Sequence, residues 1–148
     1  MDLNGMFYCV RRAVRMLKAT GGGSTINLSS IGGRLGYPLR TPYSAAKWGV
    51  VGFTKSLAIE LGLANTRVNA IQPGVVEGTR VDRVVEARAQ ELGTSFEEEM
   101  ARLVAPISLR RTVSAQDIAD MALFLASPSG RSISGQALSV CGDHASLT

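Results

Sequence analysis

Three short β-prone segments, kept apart by helix-forming stretches, constrain this chain more than any other feature. Ser24-Thr25-Ile26-Asn27-Leu28-Ser29-Ser30, the run Thr66 to Ile71 and the run Gln136 to Val140 all read as strands. The stretches between them repeat apolar residues at three- and four-residue spacing, the period of an amphipathic helix. Strands joined through helices do not pair as hairpins; neighbours run parallel and the helices cover the faces of the sheet. The pattern predicts an α/β fold with a doubly wound parallel sheet, one continuous unit over residues 1–148.

The helical stretches carry their own punctuation. Met6, Phe7, Val10, Ala13, Val14 and Leu17 form an apolar stripe over 6–19, stopped by Gly21-Gly22-Gly23, which reads as a tight turn. A second helix is expected over 43–61, with Gly62 as its C-cap. A third runs from about Val81 to Leu92; Ser95 and Glu98 stand at capping-box spacing before a fourth, which Pro106 ends. Ser114 and Asp117 open a fifth, which Pro128 terminates. Met6, Met16, Met100 and Met121 fall at helical positions and read as core filler, and Trp48 reads as a packing residue.

Composition excludes several classes. With 148 residues, 45% hydrophobic and 19% charged, the chain suits a single globular core. No apolar run approaches the ~20 residues of a spanning helix, and the N-terminus lacks the layout of a secretion signal. Cys9 and Cys141 lie far apart without CxxC spacing, so they read as reduced thiols in a cytoplasmic protein. The net charge of +4 comes from arginines scattered over helical segments, with no alternation of basic and aromatic residues, so neither a nucleic-acid face nor a membrane surface is indicated. Glu97-Glu98-Glu99 suits a helix's first turn rather than a metal, and the lone His144 reads as a solvent residue near the C-terminus.

Chemistry concentrates at Tyr43-Ser44-Ala45-Ala46-Lys47. Residues i and i+4 share a helix face, with Cβ atoms ~5–6 Å apart. A free tyrosine ionises only near pH 10, and a neighbouring ammonium favours its phenolate, so the pair can serve as a proton donor and acceptor. Ser30, thirteen residues earlier, stands at the C-terminal end of a predicted parallel strand, where open α/β sheets bind ligands. A hydroxyl there can hold a carbonyl oxygen toward the tyrosine. The strand leading into Pro73-Gly74 brings a rigid turn to the same sheet edge.

The segments INLSS (26–30), YSAAK (43–47), RVNAIQPG (67–74) and SGQALSV (134–140), in this order and spacing, resemble the short-chain dehydrogenase/reductase family in its single-domain branch. The resemblance covers essentially the whole chain. It implies a partial Rossmann-like sheet and transfer of a hydride between a nicotinamide, NAD or NADP, and the carbonyl or alcohol carbon of a small molecule. It also implies that Tyr43 is the general acid or base, Lys47 holds the nicotinamide ribose and supports the tyrosine, and Ser30 orients the substrate oxygen. Backbone around Pro73, Gly74 and Val76 would hold the carboxamide. By the same resemblance the helices near 5–19 and 43–61 form a homo-oligomer interface. A sugar-nucleotide epimerase shares a Tyr–Lys pair, but the PG and SGQ segments fit the short dehydrogenases better.

The sequence departs from the family pattern in several places. The family opens with a βαβαβ half whose first turn carries phosphate-binding glycines, and no such motif precedes Met1, so the chain reads as the C-terminal part of such a domain. An inactive remnant that survives as an oligomerisation module is therefore the competing reading. Gly32-Gly33 reads as loop flexibility, not as a phosphate cradle. The slot of a relay asparagine holds Asp2, with Asn4 two places later; Gly78 and then Thr79 stand where a threonine is common, and Cys141-Gly142-Asp143 replaces a closing glycine pair. Residues 79–112 correspond to the family's substrate lid. There Arg80, Arg83 and Arg88 face either an anionic substrate or, in the plainer reading, solvent.

Overall fold

The computed structural model describes residues 2–146, without the side chain of Asp2. Five helices and three strands alternate as α1 (Asp2–Ala19), β1 (Gly23–Leu28), α2 (Thr41–Leu61), β2 (Thr66–Pro73), α3 (Thr79–Leu92), α4 (Phe96–Val104), α5 (Ala115–Ala126) and β3 (Ala137–Val140). The strands form one parallel sheet in the order β1-β2-β3. Gly23 aligns with Thr66 and Leu28 with Ile71; Ala70 aligns with Ala137 and Pro73 with Val140.

The central strand β2 is the one buried on both faces, while β1 and β3 are only partly covered. Val68, Ala70 and Ile71 are fully buried in a continuous run, as in parallel strands covered on each side. Val68 packs with Val10, Leu57, Ala58 and Leu61 against α1 and α2. Side chains alternate along a strand, so Arg67 points the other way. Its guanidinium meets the carbonyls of Leu125, Ala126 and Gly130, which closes the C-terminal end of α5 on the opposite face. Asn69, also fully buried, donates to the Ile133 carbonyl at 2.8 Å and accepts from the Gln136 N–H at 3.0 Å. It thereby sets the turn that enters β3.

Several boundaries and burials differ from the sequence expectation. α1 begins at Asp2 rather than near 6, and α2 at Thr41, with Pro42 in its first turn. β1 ends at Leu28, leaving Ser29 and Ser30 beyond the sheet ladder, while β2 extends through Pro73. Gly62 is the C-cap of α2 as expected, but in a right-handed conformation, and the left-handed turn falls at Asn65, with φ of 52°. Gly22 does require glycine, with φ of 123° and a would-be Cβ 2.2 Å from the Asn65 carbonyl oxygen. Met16 is 71% exposed, not core. It lies six residues after buried Val10, about 240° around the helix at 3.6 residues per turn. Trp48 is half exposed rather than packed.

The expected capping box forms at α4, Ser95 with Glu98, and Ser114 and Asp117, expected to open α5, make a second one there. Hydrogen bonds from the serine backbone, and then from its side chain, hold each carboxyl below its ordinary range. Glu99 behaves differently from its neighbours. It is buried, accepts from the Thr94 hydroxyl at 2.9 Å, and pairs with Arg102 and, at 3.3 Å, with Arg88. The carboxylate thus joins α3 to α4 instead of facing solvent.

His144 is buried as well, against the expectation of a solvent residue. After β3 the chain folds back over the end of α4: Leu109 donates to Gly142, Ser108 to Asp143 and Ala145 to Pro106. Arg34 donates to the His144 carbonyl at 3.0 Å. Burial, assisted by the Arg34 charge and opposed by a hydrogen bond to the Ser146 backbone, holds the imidazole below its ordinary range. No helix among the described residues is long and apolar enough to cross a membrane.

Candidate active site

Ser30 follows the C-terminal end of β1 and caps a single turn of 3-10 helix, Ile31–Gly33, its hydroxyl accepting from the Gly32 N–H at 3.1 Å. This turn is pressed against α2. Ser29 donates its hydroxyl to the Lys47 carbonyl at 2.8 Å. A Cβ on Gly33 would stand 2.5 Å from the Ser29 oxygen and 2.6 Å from that same carbonyl oxygen. A Cβ on Gly32 would stand 3.0 Å from the Tyr43 ring. Gly32 and Gly33 are therefore buried packing positions, not flexible ones; at Gly33 only a residue without a side chain lets the serine turn and α2 approach this closely, and at Gly32 the Tyr43 ring would have to give by a few tenths of an ångström.

Tyr43 lies in the first turn of α2, partly exposed, with Lys47 one turn further on. The Lys47 ammonium sits 5.7 Å from the centre of the Tyr43 ring and donates to the Leu28 carbonyl at 3.4 Å. Asn27 donates to the Thr54 hydroxyl at 2.9 Å, a buried bond that also ties β1 to α2. Ser30 and Tyr43 open together onto a cleft of about 580 Å³, whose wall also includes Gly74, Val76, Thr79 and Arg80.

At the end of β2 the chain stays close to β3. Gly74 donates to the Val140 carbonyl at 2.9 Å, and a Cβ there would lie 2.8 Å from the Cys141 Cα. Val76 then bridges Val113 in parallel, with Glu77 donating to Val113 and Val113 donating to Val75. In that pattern Val76 turns its own N–H and C=O away from Val113. Gly74 and Val76 thus line the cleft, whereas Pro73 lies behind it in the sheet. Asn4 is exposed on α1 and does not line the cleft, and the Asp2 side chain is outside the described ones.

The arginines divide. Arg80 lines the cleft, Arg83 is exposed outside it, and Arg88 pairs with Glu99. Two cleft residues carried no sequence signal. Tyr37 meets Tyr43 edge to face at 6.3 Å and 82°, and Arg40 places its guanidinium 5.6 Å from the Tyr37 ring centre. Both lie in an irregular segment with no periodicity to mark them. Among the described residues no cluster of His, Cys, Asp and Glu could hold a metal ion.

The profile of the enoyl-(acyl carrier protein) reductase family matches residues 1–142. A short-chain type dehydrogenase/reductase from Mycobacterium ulcerans superposes with a TM-score of 0.84 at 28% identity, over 97% of this chain and 49% of that one. This chain belongs to the short-chain dehydrogenase/reductase family. Another family member, the 3alpha-hydroxysteroid dehydrogenase of Mediterraneibacter gnavus, is 40% identical over 144 residues, 96% of this chain and 53% of that protein. A variant of the actinorhodin polyketide ketoreductase, solved with NADPH, superposes at TM-score 0.87 and 35% identity, over 96% of this chain and 55% of that one. This short-chain dehydrogenase/reductase chain spans about half the length of the curated relatives it matches.

Proposed function

We propose that this chain carries the proton-handling and substrate-orienting part of an NAD(P)-dependent oxidoreductase that interconverts a carbonyl and an alcohol. The observation that carries the reading is the opening of Ser30 and Tyr43 onto one cleft, with the Lys47 ammonium beside the tyrosine ring. The donor set suits a nicotinamide: Val76 turns a backbone N–H and C=O away from its bridge, complementary to a carboxamide, and Lys47 offers donors for ribose hydroxyls. NAD or NADP, when bound, supplies or accepts the hydride.

The protein residues then divide the remaining work. Ser30 donates a hydrogen bond to the substrate oxygen and aims it at Tyr43. Tyr43 gives its proton to that oxygen in reduction and takes it back in oxidation. Lys47 stabilises the negative charge that gathers on the phenol oxygen as the proton leaves. Gly74 and Val76 supply backbone for the carboxamide, with Pro73 stiffening the turn behind them. Replacing Tyr43 with Phe is expected to abolish NADH- or NADPH-dependent reduction of ketones, with circular dichroism and the unfolding midpoint unchanged. Undiminished turnover in that variant would remove the assignment.

A second reading, an oligomerisation module without activity, draws on a separate observation. α1, α2 and the turn after α2 leave Phe7, Tyr8, Met16, Ile59 and Leu63 exposed. Such apolar faces favour association of copies through these helices. Titrating NADH and NADPH into the purified chain, followed by fluorescence and with its mass in solution monitored, separates the two. Saturable cofactor binding favours the enzyme; a stable assembly that binds neither favours the module.

A further inference from the structure

We infer that the cleft takes a substrate with an apolar body and a single carboxylate, gripped by Arg40 and Arg80. The inference rests on the reading of this cleft as the substrate site. Its wall is two-sided in character: Ile31, Val76, Val81, Val84 and Leu103 are apolar, whereas Arg40 and Arg80 bring two cations from separate elements. Arg40 precedes α2 and is steadied over the Tyr37 ring; Arg80 lies in the first turn of α3 and makes no ion pair among the described residues.

Two further features point the same way. The N-cap of α3 is Gly78, which has no side chain to satisfy the first amides, and Gly78, Thr79 and Arg80 all line the cleft. A helix N-terminus of this kind favours an anion. Asp82, the acid in that first turn, does not line the cleft. The cleft's one carboxylate is Glu77, which leaves an excess of one positive charge. That balance suits a monoanion and is short of a phosphate dianion. Guanidinium groups also match a carboxylate's two oxygens in the plane.

The test is a ligand-observed NMR titration of 7-oxooctanoate and its methyl ester into the 148-residue chain. The acid is expected to bind about five- to tenfold more tightly than the ester at low salt, a range set by two solvent-screened charge contacts. The preference should shrink at about 0.5 M salt, where the screening length falls to a few ångströms. Arg40→Ala and Arg80→Ala should each lower it, and Glu77→Gln should raise it, an opposite sign that a folding defect does not produce. Equal binding of acid and ester, an unchanged preference in the double arginine variant, or tighter binding of a phosphate monoester of the same length would overturn the inference. An oxo-acid that binds with the expected preference but is never reduced with NADH or NADPH supports the carboxylate site and counts against the oxidoreductase reading alone.

Discussion

Around Ser30 and Tyr43 the chain is held by contacts that leave no room for an added carbon at Gly33, whereas the α3–α4 hairpin joins buried Val85 and Ala89 of α3 with a buried carboxylate, Glu99 of α4, and that carboxylate's exposed partners. On the first side Gly33 lies against the Lys47 carbonyl, Ser29 bonds to it, and Asn27 bonds to Thr54. These contacts link the end of β1 to α2 at successive points, so Ser30, Tyr43 and Lys47 keep their mutual placement. On the second side Glu99 gathers Arg88, Arg102 and Thr94, and its arginine partners are more than half exposed. The difference teaches where each property of the cleft resides. On the function proposed above, proton chemistry needs geometry held to fractions of an ångström and would fall to the tightly packed platform. On the same proposal, substrate choice tolerates more movement and would fall to the hairpin bearing Arg80.

The contrast can be broken most forcefully at Gly33. Gly33→Ala should cost about 2–3 kcal/mol, the range for overpacking a close-fitted site, because its Cβ would meet two oxygen atoms. Denaturant titration reads the loss, and turnover should fall with it as Tyr43 and Lys47 shift. A variant with unchanged midpoint and activity would mean that the platform is looser than its contacts indicate.

Glu99→Ala tests the other side. The two arginines it releases are free to regain water, so the cost should be about 1–2 kcal/mol, the worth of charge-assisted hydrogen bonds. Amide exchange should quicken in α3 and α4 but not in β2 or α2, and KM should rise more than kcat falls. Uniform quickening through the sheet would erase the distinction between the two regions.

The C-terminal segment joins them, since it contacts Pro106–Leu109 near the hairpin and Arg34 near the serine turn. His144 within it is held below the ordinary imidazole value of about 6.5, chiefly by burial, so the unfolded chain binds its proton more readily than the folded one. The corresponding stability is present above pH 6.5 and is lost as pH falls through the lower folded value. His144→Gln should flatten that part of the profile in pH-dependent denaturation. Glu98 and Asp117, also held low, add a second decline only in the more acidic carboxylate range. The smallest effect belongs to the α4 cap: Ser95→Ala should cost about 1 kcal/mol, read as fraying of α4 by amide exchange.

Much of this was legible in the residue pattern. The strand and helix segments, the helix starts at Ser95 and Ser114 and the Tyr43–Lys47 spacing depend on neighbours within a turn or two of the chain, and strands joined through helices then pair in parallel. Local periodicity and hydrogen bonding govern such features directly. The placement of Ser30 at a strand's C-terminal end followed from the same logic, although the ladder stops at Leu28 and the serine stands in the turn beyond it.

The rest depended on contacts between residues remote in sequence. Capping-box spacing marks Glu98, but nothing local marks Glu99 as the buried one; its burial accompanies the packing of α4 on α3, which brings Arg88 to it. His144 became a buried residue because the chain after β3 crosses Pro106–Leu109. Gly32 and Gly33 carry the same composition in a flexible loop as in a close-packed one, and only the approach of α2 crowds a Cβ at Gly32 and excludes one at Gly33. Likewise three lid arginines of equal standing in the sequence received three different surroundings. Sequence by itself determined the elements and the chemistry available to them, because these obey short-range rules. Tertiary structure decided which polar and charged groups would be buried, paired or turned toward the cleft, because burial is a property of whatever the rest of the chain places nearby.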